Sequence, residues 1–309
     1  MNFKQLKYFV SAFEEGGFSA AASKENCSQP ALSAQIKGLE EHLGSSLFRR
    51  TASGVVPTIA GEKFYDMAVN ILKSVATAEI KMRETAETIT GVVRAGLVPS
   101  VTRGLVPDLL ASFLSDYPEI RLSVVQGYSA TLTSSVASRD LDFAVVIEPP
   151  KIAGMEMTTI SHEEIVLVSG KASALTPWAP VDLVKLDPLK LVIPTAHNSL
   201  GQNVRQHVQL GQIRAAQILE IDALGATIDF VRTSNWATIL PATAILRDIE
   251  HEDLIFSPIS NPVIRSNFFL VHRTRQPLSP ASQIFVTTLL AAIENSKEKW
   301  QKITQKSLT

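Results

Sequence analysis

Hydrophobic residues in the first 25 positions of the chain recur at the spacing of two short α-helices. Gly16 and Gly17 separate the two, because adjacent glycines disfavour a continuing helix. The second helix is predicted over residues 19–25, where alanines 20–22 are small enough to let two helices approach closely. The first helix is predicted over residues 2–15 from apolar side chains along one face: Phe3, Leu6, Phe9, Val10 and Phe13.

A third helix is predicted from residue 28 onward. Ser28 can accept a hydrogen bond from the unpaired amides of the first turn, and Pro30 is tolerated there because its missing N–H would have no partner. One face is apolar: Leu32, Ile36, Leu39 and Leu43. The opposite face is short or polar: Gln29, Ser33, Ala34, Gln35 and Lys37. Such a face can enter the major groove of DNA, so we interpret this as a recognition helix. Two packed helices of an ordinary domain are the alternative on the pattern alone.

A hairpin is predicted within residues 49–58, directly after these helices. A glycine turn at Gly54 lies between two short β-prone segments, which is the pattern of a β-hairpin wing. Arg49 and Arg50 precede the turn, where they could contact the phosphate backbone or the minor groove of DNA. A solvated pair of charges is the alternative for these arginines.

A long helix is predicted after Thr58, which can serve as its N-cap. The capping box is imperfect, because Gly61 stands at the third helical position, where a capping box has glutamate or glutamine. An apolar seam in steps of four and three runs along the helix: Phe64, Ala68, Ile71, Val75, Ala78, Met82, Thr85 and Ile89. Because the seam is narrow and flanked by charge, it predicts a partner helix and therefore a homodimer with two recognition helices. Packing on its own domain is the alternative, and Thr90-Gly91 is interpreted as a hinge.

Strands and helices alternate from Val92 onward. Strands at 92–98, 120–126 and 141–147 enclose helices at 99–114 and 129–138, which predicts a parallel sheet with right-handed crossovers. A second set of strands and helices predicts a second lobe: strands at 164–169, 190–193, 217–221 and 253–257, and helices at 200–208 and 223–233. A strand at 265–272 would return to the first sheet before a terminal helix at 279–295 and a frayed, lysine-rich end.

Composition and charge narrow the interpretation. The chain has 309 residues, 45% of them hydrophobic, which suggests roughly two or three domains with buried cores. The net charge is −1, and residues 1–60 carry six Lys or Arg against five Glu. Bulk electrostatics therefore supplies little affinity for nucleic acid, so DNA binding would require an oligomer. Cys27 is the only cysteine, and no apolar run matches a membrane span or a signal peptide, so we expect a cytoplasmic protein without a membrane partner.

Catalytic motifs are absent from the sequence. The six histidines show no metal-ligand spacing, and no GxSxG, P-loop or GxGxxG motif occurs. The nearest cluster is His162-Glu163-Glu164, which solvation at a strand edge explains. We therefore expect no enzyme activity, no metal site and no cofactor. A cytoplasmic small-molecule sensor without a DNA function remains the alternative.

The N-terminal residues resemble the signature of LysR-type transcriptional regulators. The residues that carry this ungapped resemblance are Ala21-Ala22, Ser28-Gln29-Pro30-Ala31-Leu32-Ser33, Gln35-Ile36, Leu39-Glu40, Leu43-Gly44 and Leu47-Phe48-Arg49-Arg50. The resemblance implies an α+α/β fold class: an N-terminal winged helix-turn-helix, a long linker helix, and a C-terminal two-lobed α/β effector domain like a periplasmic binding protein. We place these domains at residues 1–60, 61–90 and 91–309, with lobe I at 91–161 and 267–309 and lobe II at 162–266.

On this interpretation the chain is a sequence-specific, DNA-binding regulator of transcription that senses a small anionic metabolite, organic or inorganic, between its lobes. Its partners would be double-stranded operator DNA, the effector, and further copies of the chain. These copies would form a homodimer through the linker helix and, as is usual in the family, a homotetramer. Contact with RNA polymerase is left open. DNA contacts are assigned to Ser28, Gln29, Pro30, Ser33, Ala34, Lys37, Arg49 and Arg50.

Effector contacts are expected in the cleft between the lobes. Ligands of open α/β sheets bind beyond the carboxyl ends of strands, where helix N-termini favour anions. The resemblance and the position after strands indicate Ser100, Thr102, Arg103, Ser129, Thr195, His197, Asn198, Ser199 and Gln202. Helix capping is the alternative for the serines and threonines. Trp236 stands where the family commonly has glycine, so its indole could face the cleft and favour a compact or aromatic acid, or it could fill core space.

Overall fold

The structure is a computed structural model that describes residues 1–51, 54–83, 89–173 and 175–306, apart from the side chains of Arg50, Lys73 and residues 76–83, 305 and 306. Contacts divide the chain into two compact units. The first unit contains residues 1–88 with segments 151–156 and 272–280, and the second contains residues 89–150, 157–271 and 281–309.

The first unit is a winged helix-turn-helix followed by a long helix, as predicted. Its elements are α1 (Phe3–Glu14), α2 (Phe18–Lys24), α3 (Gln29–Leu43), β1 (Phe48–Thr51), β2 (Gly54–Pro57) and α4 (Ile59–Arg83). β1 and β2 pair antiparallel. Phe9 of α1 is fully buried, and its ring centroid lies 5.4 Å from that of Phe48 and 5.1 Å from that of Phe64. This aromatic cluster fixes the wing and α4 to the helix-turn-helix.

Gly61 explains why the capping box of α4 is incomplete. Thr58 caps the helix as predicted: its Oγ1 accepts a hydrogen bond from the Gly61 N–H at 3.0 Å and its hydroxyl donates to the Ser46 carbonyl at 2.7 Å. A Cβ at Gly61 would lie 2.1 Å from the carbonyl oxygen of Leu47. The close approach of α4 to this backbone therefore requires glycine where a capping box would have glutamate.

The predicted seam of α4 begins inside the first unit. Ala68 is fully buried and Phe64 packs against the same core, so packing on the chain's own domain accounts for the first two seam positions. Ile71 is 37% exposed and Val75 is half-buried. Ile89 is exposed, and the remaining predicted seam positions lie outside the described side chains: Ala78, Met82 and Thr85. A partner helix along the seam from Ile71 onward stays a prediction.

The chain from Gly91 onward alternates strands and helices. In order these are β3 (Gly91–Leu97), α5 (Pro99–Gly104), α6 (Val106–Asp116), β4 (Ile120–Gln126), α7 (Ser129–Ala137), β5 (Phe143–Ile147), β6 (Met155–Glu163), β7 (Ile165–Gly170), β8 (Val181–Asp182), β9 (Leu189–Ile193), α8 (Ser199–Gln209), β10 (Ala215–Glu220), α9 (Leu224–Arg232), β11 (Ala237–Pro241), β12 (Leu254–Asn261), β13 (Ser266–Arg273) and α10 (Pro280–Lys306). A 3-10 turn, Ala242–Ile245, follows β11.

Two sheets define two lobes. Lobe I contains the five-stranded sheet in the order β4-β3-β5-β13-β6, and lobe II contains the six-stranded sheet in the order β10-β9-β11-β7-β12-β8. β3 pairs in parallel with both β4 and β5, which confirms the predicted βαβαβ arrangement. The chain passes into lobe II between Glu163 and Ile165 and returns to lobe I between Asn261 and Ser266.

Two predicted elements were wrong in extent, and strand β11 was not predicted. The single helix expected at 99–114 is two helices, interrupted at Leu105. The interruption occurs because Pro107 has no N–H to donate to the carbonyl of Arg103. The expected frayed end is helical to Lys306, because Trp300 is 4% exposed and packs in a lobe II core. β11 was not among the predicted strands, although all five of its residues are buried.

Membrane insertion finds no support in the described helices, none of which combines the length and the apolar composition that crossing a bilayer requires.

Candidate functional site

The predicted recognition helix is α3. The Oγ of Ser28 accepts a hydrogen bond from the Ala31 N–H at 3.4 Å, and Pro30 lies in the first turn. Gly44 ends the helix in the left-handed conformation, with φ at 64°. Three residues of its apolar face are buried as predicted: Leu32, Ile36 and Leu39. Leu43 is 36% exposed, so the prediction that it belongs to the buried face was wrong. It lies in the last turn, where the helix leaves the core.

The opposite face of α3 is accessible. Ser33 is half-buried, and the exposed members of the predicted DNA-contact set are Ser28, Gln29, Pro30, Ala34, Lys37 and Arg49. Lys37 lies 3.8 Å from Glu41, but both side chains are more than two-thirds exposed, so the lysine is free to exchange this partner for a phosphate. The side chain of Arg50 lies outside the described part of the chain.

Glu40 positions the wing relative to α3, a role that no sequence pattern indicated. Its carboxylate Oε1 accepts hydrogen bonds from the Leu47 N–H at 2.7 Å and the Phe48 N–H at 3.0 Å. These bonds fix the start of β1 against the back of the recognition helix. Arg49, the next residue, is therefore presented from a fixed backbone.

Glu14 is the centre of a buried ionic cluster in the first unit. Its side chain is 4% exposed and accepts hydrogen bonds from the Tyr65 hydroxyl at 3.0 Å and the Arg275 guanidinium at 2.7 Å. Arg275 also lies 3.6 Å from Glu25, whose side chain is 3% exposed. Burial and the neighbouring Glu14 carboxylate raise the pKa of Tyr65. The cluster joins α1, α4 and the 272–280 segment, and the sequence alone did not indicate it.

A cleft in the second unit is lined by residues of both lobes. Its volume is about 60 Å³. Most of the lining is apolar, with Val98 and Ile147 from lobe I and Leu224 and Leu240 from lobe II. The polar lining residues are Ser100, Tyr128, Ser129, Asn198, Ser199, Asp222, Thr227 and Thr238.

Two hydroxyls of this lining are buried without a hydrogen-bond partner among the described residues. Ser100, in α5 of lobe I, is 5% exposed, and Thr238, in β11 of lobe II, is fully buried. An unsatisfied buried hydroxyl costs free energy, so native proteins rarely retain one unless something else satisfies it. The two hydroxyls therefore mark polar positions that a bound molecule could complete.

Three other polar lining residues already have hydrogen-bond partners: Tyr128, Ser129 and Asn198. The Ser129 hydroxyl donates to the Ile147 carbonyl at 2.6 Å and accepts from the Ile147 N–H at 3.1 Å. Asn198 caps α8 through its carboxamide oxygen. The Tyr128 hydroxyl donates to the main-chain carbonyl of Asp222 at 2.9 Å, which connects lobe I to lobe II across the cleft.

Negative charge is concentrated at Asp222. Desolvation acts to raise its pKa, but hydrogen bonds from the Thr195 hydroxyl and N–H outweigh that effect and lower the pKa. Desolvation and the nearby Asp222 raise the pKa of Tyr128 to about 12. Among the described lining residues, none is lysine or arginine. Any positive potential in the cleft must come from backbone amides at helix N-termini.

The lining includes four of the predicted effector residues: Ser100, Ser129, Asn198 and Ser199. The others lie away from it. The Thr102 hydroxyl donates to the Val98 carbonyl, and Thr195 binds Asp222. His197 is exposed, and Gln202 donates to the Ala196 carbonyl at 2.7 Å.

Two further predicted residues also lie away from the lining, for reasons visible only in three dimensions. Arg103 turns toward Asp248, which is buried and attracts its guanidinium. Trp236 packs against the lobe II core, with its ring centroid 5.9 Å from that of Phe230, which favours the core-filling alternative. Sequence reasoning missed Thr238, because β11 was not recognised as a strand.

Family models match almost the whole chain. Residues 3–62 match the bacterial regulatory helix-turn-helix protein of the lysR family, and residues 86–294 match the LysR substrate binding domain. The nitrogen assimilation regulatory protein nac of Escherichia coli is 27% identical over 307 residues, which is 98% of this chain and 100% of that protein.

Two solved structures share the fold. A hydrogen-peroxide-bound cysteine-to-serine mutant of Corynebacterium glutamicum OxyR superposes with a TM-score of 0.59 and 23% identity, covering 96% of this chain and 95% of that one. Full-length CbnR in complex with its target DNA superposes with a TM-score of 0.54 and 23% identity, covering 94% and 99%. The chain belongs to the LysR family and is a DNA-binding transcriptional regulator with an effector-binding domain.

Proposed function

We propose that the chain represses or activates its target genes in response to a small metabolite that binds in the cleft between lobes I and II. The observation that carries this proposal is the pair of buried, unpartnered hydroxyls of Ser100 and Thr238. One comes from each lobe, so a molecule that accepts hydrogen bonds from both would hold the lobes together. Effector binding would then bias lobe closure, the two-state change that regulation requires.

The effector we propose is a small organic acid or another compact anion. α7 and α9 begin at the lining, and neither has a side chain that caps its N-terminal amides. Free amides and the helix dipole stabilise negative charge. The volume of about 60 Å³ holds roughly four to six water molecules, which limits the ligand to a few non-hydrogen atoms unless the lobes move apart.

Peroxide sensing through a thiol does not fit this sequence. Cys27 is the only cysteine of the chain, and it packs beside the core of the helix-turn-helix. The effector-binding unit therefore has no thiol that peroxide could oxidise to a sulfenic acid or a disulfide. A reversibly bound metabolite remains the effector that the cleft suits best.

The functional form we propose is a homodimer, assembled further into a homotetramer in the cytoplasm. A first unit with six basic and five acidic side chains in residues 1–60 would bind DNA weakly as a monomer. The exposed part of the α4 seam, from Ile71, would join two chains and direct two copies of α3 to successive half-sites of an operator. RNA polymerase would then be contacted from the DNA-bound assembly.

A thermal-shift screen of the full-length chain tests the cleft. Each small acid is compared with its amide and its alcohol; a ligand at a hundred times its dissociation constant stabilises by about 2.7 kcal/mol. Ser100→Ala and Thr238→Val should reduce the shift, and Ser115→Ala, on the exposed face of α6, should not. Thr238→Val should leave the unliganded protein at least as stable, because it removes a buried hydroxyl without a partner.

The screen separates the parts of the proposal. If an acid and its amide raised the melting temperature equally, the proposal that the effector is an anion would be contradicted, but the cleft would remain the proposed binding site. Unchanged shifts in both hydroxyl variants would contradict the cleft. DNA binding is tested separately by footprinting the region upstream of the gene at several salt concentrations, with the oligomer measured by sedimentation. A chain that binds all sequences equally, or binds its operator selectively as a monomer, would contradict the proposed assembly.

A further inference from the structure

We propose that Arg103 is a positioning residue whose ion pair with Asp248 sets the angle between lobes I and II, and through that angle the opening of the cleft. The two residues belong to different lobes. Arg103 lies at the end of α5 in lobe I, and Asp248 follows the 3-10 turn after β11 in lobe II. The effect on the angle follows from the geometry of this pair, and its consequence for an effector rests on the proposed function.

The geometry of the pair restrains rotation. Nη1 of Arg103 donates to Oδ2 of Asp248 at 2.5 Å, and Nη2 donates to Oδ1 at 3.0 Å. Nη1 also donates to the main-chain carbonyl of Ala244 at 2.8 Å. Two parallel N–H···O bonds between planar groups fix their relative orientation as well as their separation. The contact therefore constrains how α5 is oriented against lobe II.

Burial makes this restraint effective. The side chain of Asp248 is 3% exposed, so solvent and salt screen the pair only weakly. Arg232, from lobe II itself, donates to the same carboxylate at 3.0 Å. Removal of Arg103 would therefore leave Asp248 with a cationic partner inside its own lobe. We expect the lobes to loosen while the fold of lobe II survives, because no buried charge is left unpaired.

α5 connects the ion pair to the cleft. Ser100 in its first turn lines the cleft, and so does Ala244, whose carbonyl accepts the Arg103 hydrogen bond. The backbones also touch here: a Cβ at Gly104 would lie 1.9 Å from the carbonyl oxygen of Thr243. A change of angle at Arg103 would therefore move Ser100 relative to the residues of lobe II that face it.

A second ion pair between the lobes serves as a matched control. Nη1 of Arg247 in lobe II donates to Oδ1 of Asp108 in lobe I at 3.2 Å. Their side chains are 45% and 81% exposed, so water screens the pair and the side chains retain their mobility. The same two residue types thus join the same two lobes with and without burial.

Distance measurements by pulsed electron paramagnetic resonance test the proposal in the full-length chain without any effector. Cys27 is replaced by serine, and spin labels are attached to cysteines introduced at Ser115 in lobe I and Gln206 in lobe II, both of which are exposed. Labelled protein is diluted with an excess of unlabelled protein, so that each oligomer carries one labelled chain. The variants compared are Arg103→Ala, Arg103→Gln, Arg103→Lys and Arg247→Ala.

The expected result is an interlobe distance distribution about twofold broader for Arg103→Ala, because the lobes would sample a wider range of relative orientations without the ion pair. Arg103→Lys keeps the charge but cannot form two parallel hydrogen bonds. The width of its distance distribution should therefore fall between those of the parent and Arg103→Ala. Arg247→Ala should match the parent. If Arg103→Ala does not fold, Arg103→Gln provides the same comparison. Distributions for Arg103→Ala and Arg103→Gln that equal the parent, or that Arg247→Ala reproduces, would overturn the proposal.

The same variants separate this inference from the proposed effector site. Suppose that the distance distribution broadens in Arg103→Ala but that no small acid stabilises the parent. The ion pair would then still determine the angle between the lobes, and the proposed effector would be contradicted. Where an acid does stabilise the parent, its addition should narrow the Arg103→Ala distribution. Failure of the acid to narrow it would show that the angle and the cleft are independent, and would overturn the link to the cleft.

Discussion

The Thr243 hydroxyl donates a 2.5 Å hydrogen bond to the carboxylate of Glu163, joining the 3-10 turn of lobe II to the last residue of β6 in lobe I. Glu163 is 8% exposed. Burial raises its pKa to about 7, although the Thr243 hydrogen bond and the charge of Lys297 act in the opposite direction. A carboxyl group that titrates near neutrality therefore lies at the crossing between the lobes.

We expect Glu163→Gln to remove a pH dependence of stability. Between its ordinary pKa of 4.5 and its folded pKa of about 7, the folded state binds this proton more tightly than the unfolded chain. The free energy of unfolding should therefore fall as pH rises through this window, by on the order of 2–3 kcal/mol in total. Glutamine keeps the shape and does not titrate. Urea unfolding at pH 5.5 and pH 8, in parallel with the exposed-neighbour variant Glu164→Gln, measures the difference.

The outcome at pH 8 decides this prediction. Glu163→Gln should be more stable than the parent there and close to it at pH 5.5. If the free energy of unfolding changed between pH 5.5 and pH 8 by the same amount in the parent and in Glu163→Gln, Glu163 would ionise without cost to stability.

Two helix glycines of the first unit should respond to alanine with opposite signs. A Cβ at Gly61 would lie 2.1 Å from the Leu47 carbonyl oxygen, so Gly61→Ala must push α4 away from the wing and should cost about 1–3 kcal/mol. A Cβ at Gly38 in α3 meets only the end of the Gln5 side chain, at 3.3 Å, so Gly38→Ala should gain up to about 1 kcal/mol from helix propensity. Melting temperatures of the two variants test this, and a stabilising Gly61→Ala would contradict the close approach.

Local pattern was sufficient for much of the fold. The stripe of Leu32, Ile36 and Leu39 predicted the buried face of α3, and the alternation from Val92 predicted three parallel strands, because in both cases the information lies within a few consecutive residues. β11 was missed because Ser234 and Asn235 before it are turn formers, and its burial depends on strands β7 and β9 on either side.

The candidate site depended more on contacts distant in sequence. The order of the elements placed Ser100, Ser129, Asn198 and Ser199 correctly on the lining, because residues that follow strand ends meet at one edge of a sheet. Arg103 could not be placed in this way. It is next to Thr102 in sequence, but the direction of its side chain is decided by Asp248, 145 residues further along the chain.

Gln29 and Arg49 should affect operator binding in different ways. Both are exposed, so neither substitution should disturb the fold. Gln29→Ala should relax base preference at one position of each half-site, with a cost of about 1–3 kcal/mol on the preferred sequence. Arg49→Ala should weaken binding to all sequences and lower the salt dependence of log K by about one unit per chain. Titrations of specific and scrambled DNA at several salt concentrations distinguish them, with Lys302→Ala in α10 as the charge control.

A base preference that is unchanged in Gln29→Ala would remove this residue from direct readout. A salt dependence that is unchanged in Arg49→Ala would show that the wing arginine contacts solvent and no phosphate. Either result would leave the family assignment intact, because that assignment rests on the match of the two family models.

Arg275→Ala should destabilise the first unit through the charges that it leaves behind. The carboxylates of Glu14 and Glu25 are 4% and 3% exposed, and without Arg275 their remaining cations are Lys24, 3.7 Å from Glu14, and Lys7, 3.2 Å from Glu25. Breaking a buried ion pair costs about 3–5 kcal/mol when no partner remains, so with these lysines in place we expect about 1–3 kcal/mol.

The double variant with Glu14→Gln tests this reason directly. Glutamine can still accept from the Tyr65 hydroxyl but carries no charge that needs Arg275, so the second substitution should recover part of the loss. Lys302→Ala, which breaks an exposed pair with Glu298, should change the free energy of unfolding by less than about 0.5 kcal/mol. Urea unfolding of the parent, the two single variants and the double variant completes this double-mutant cycle. Additive losses for Arg275→Ala and Glu14→Gln would mean that the arginine acts through packing and that the charge of Glu14 is satisfied without it.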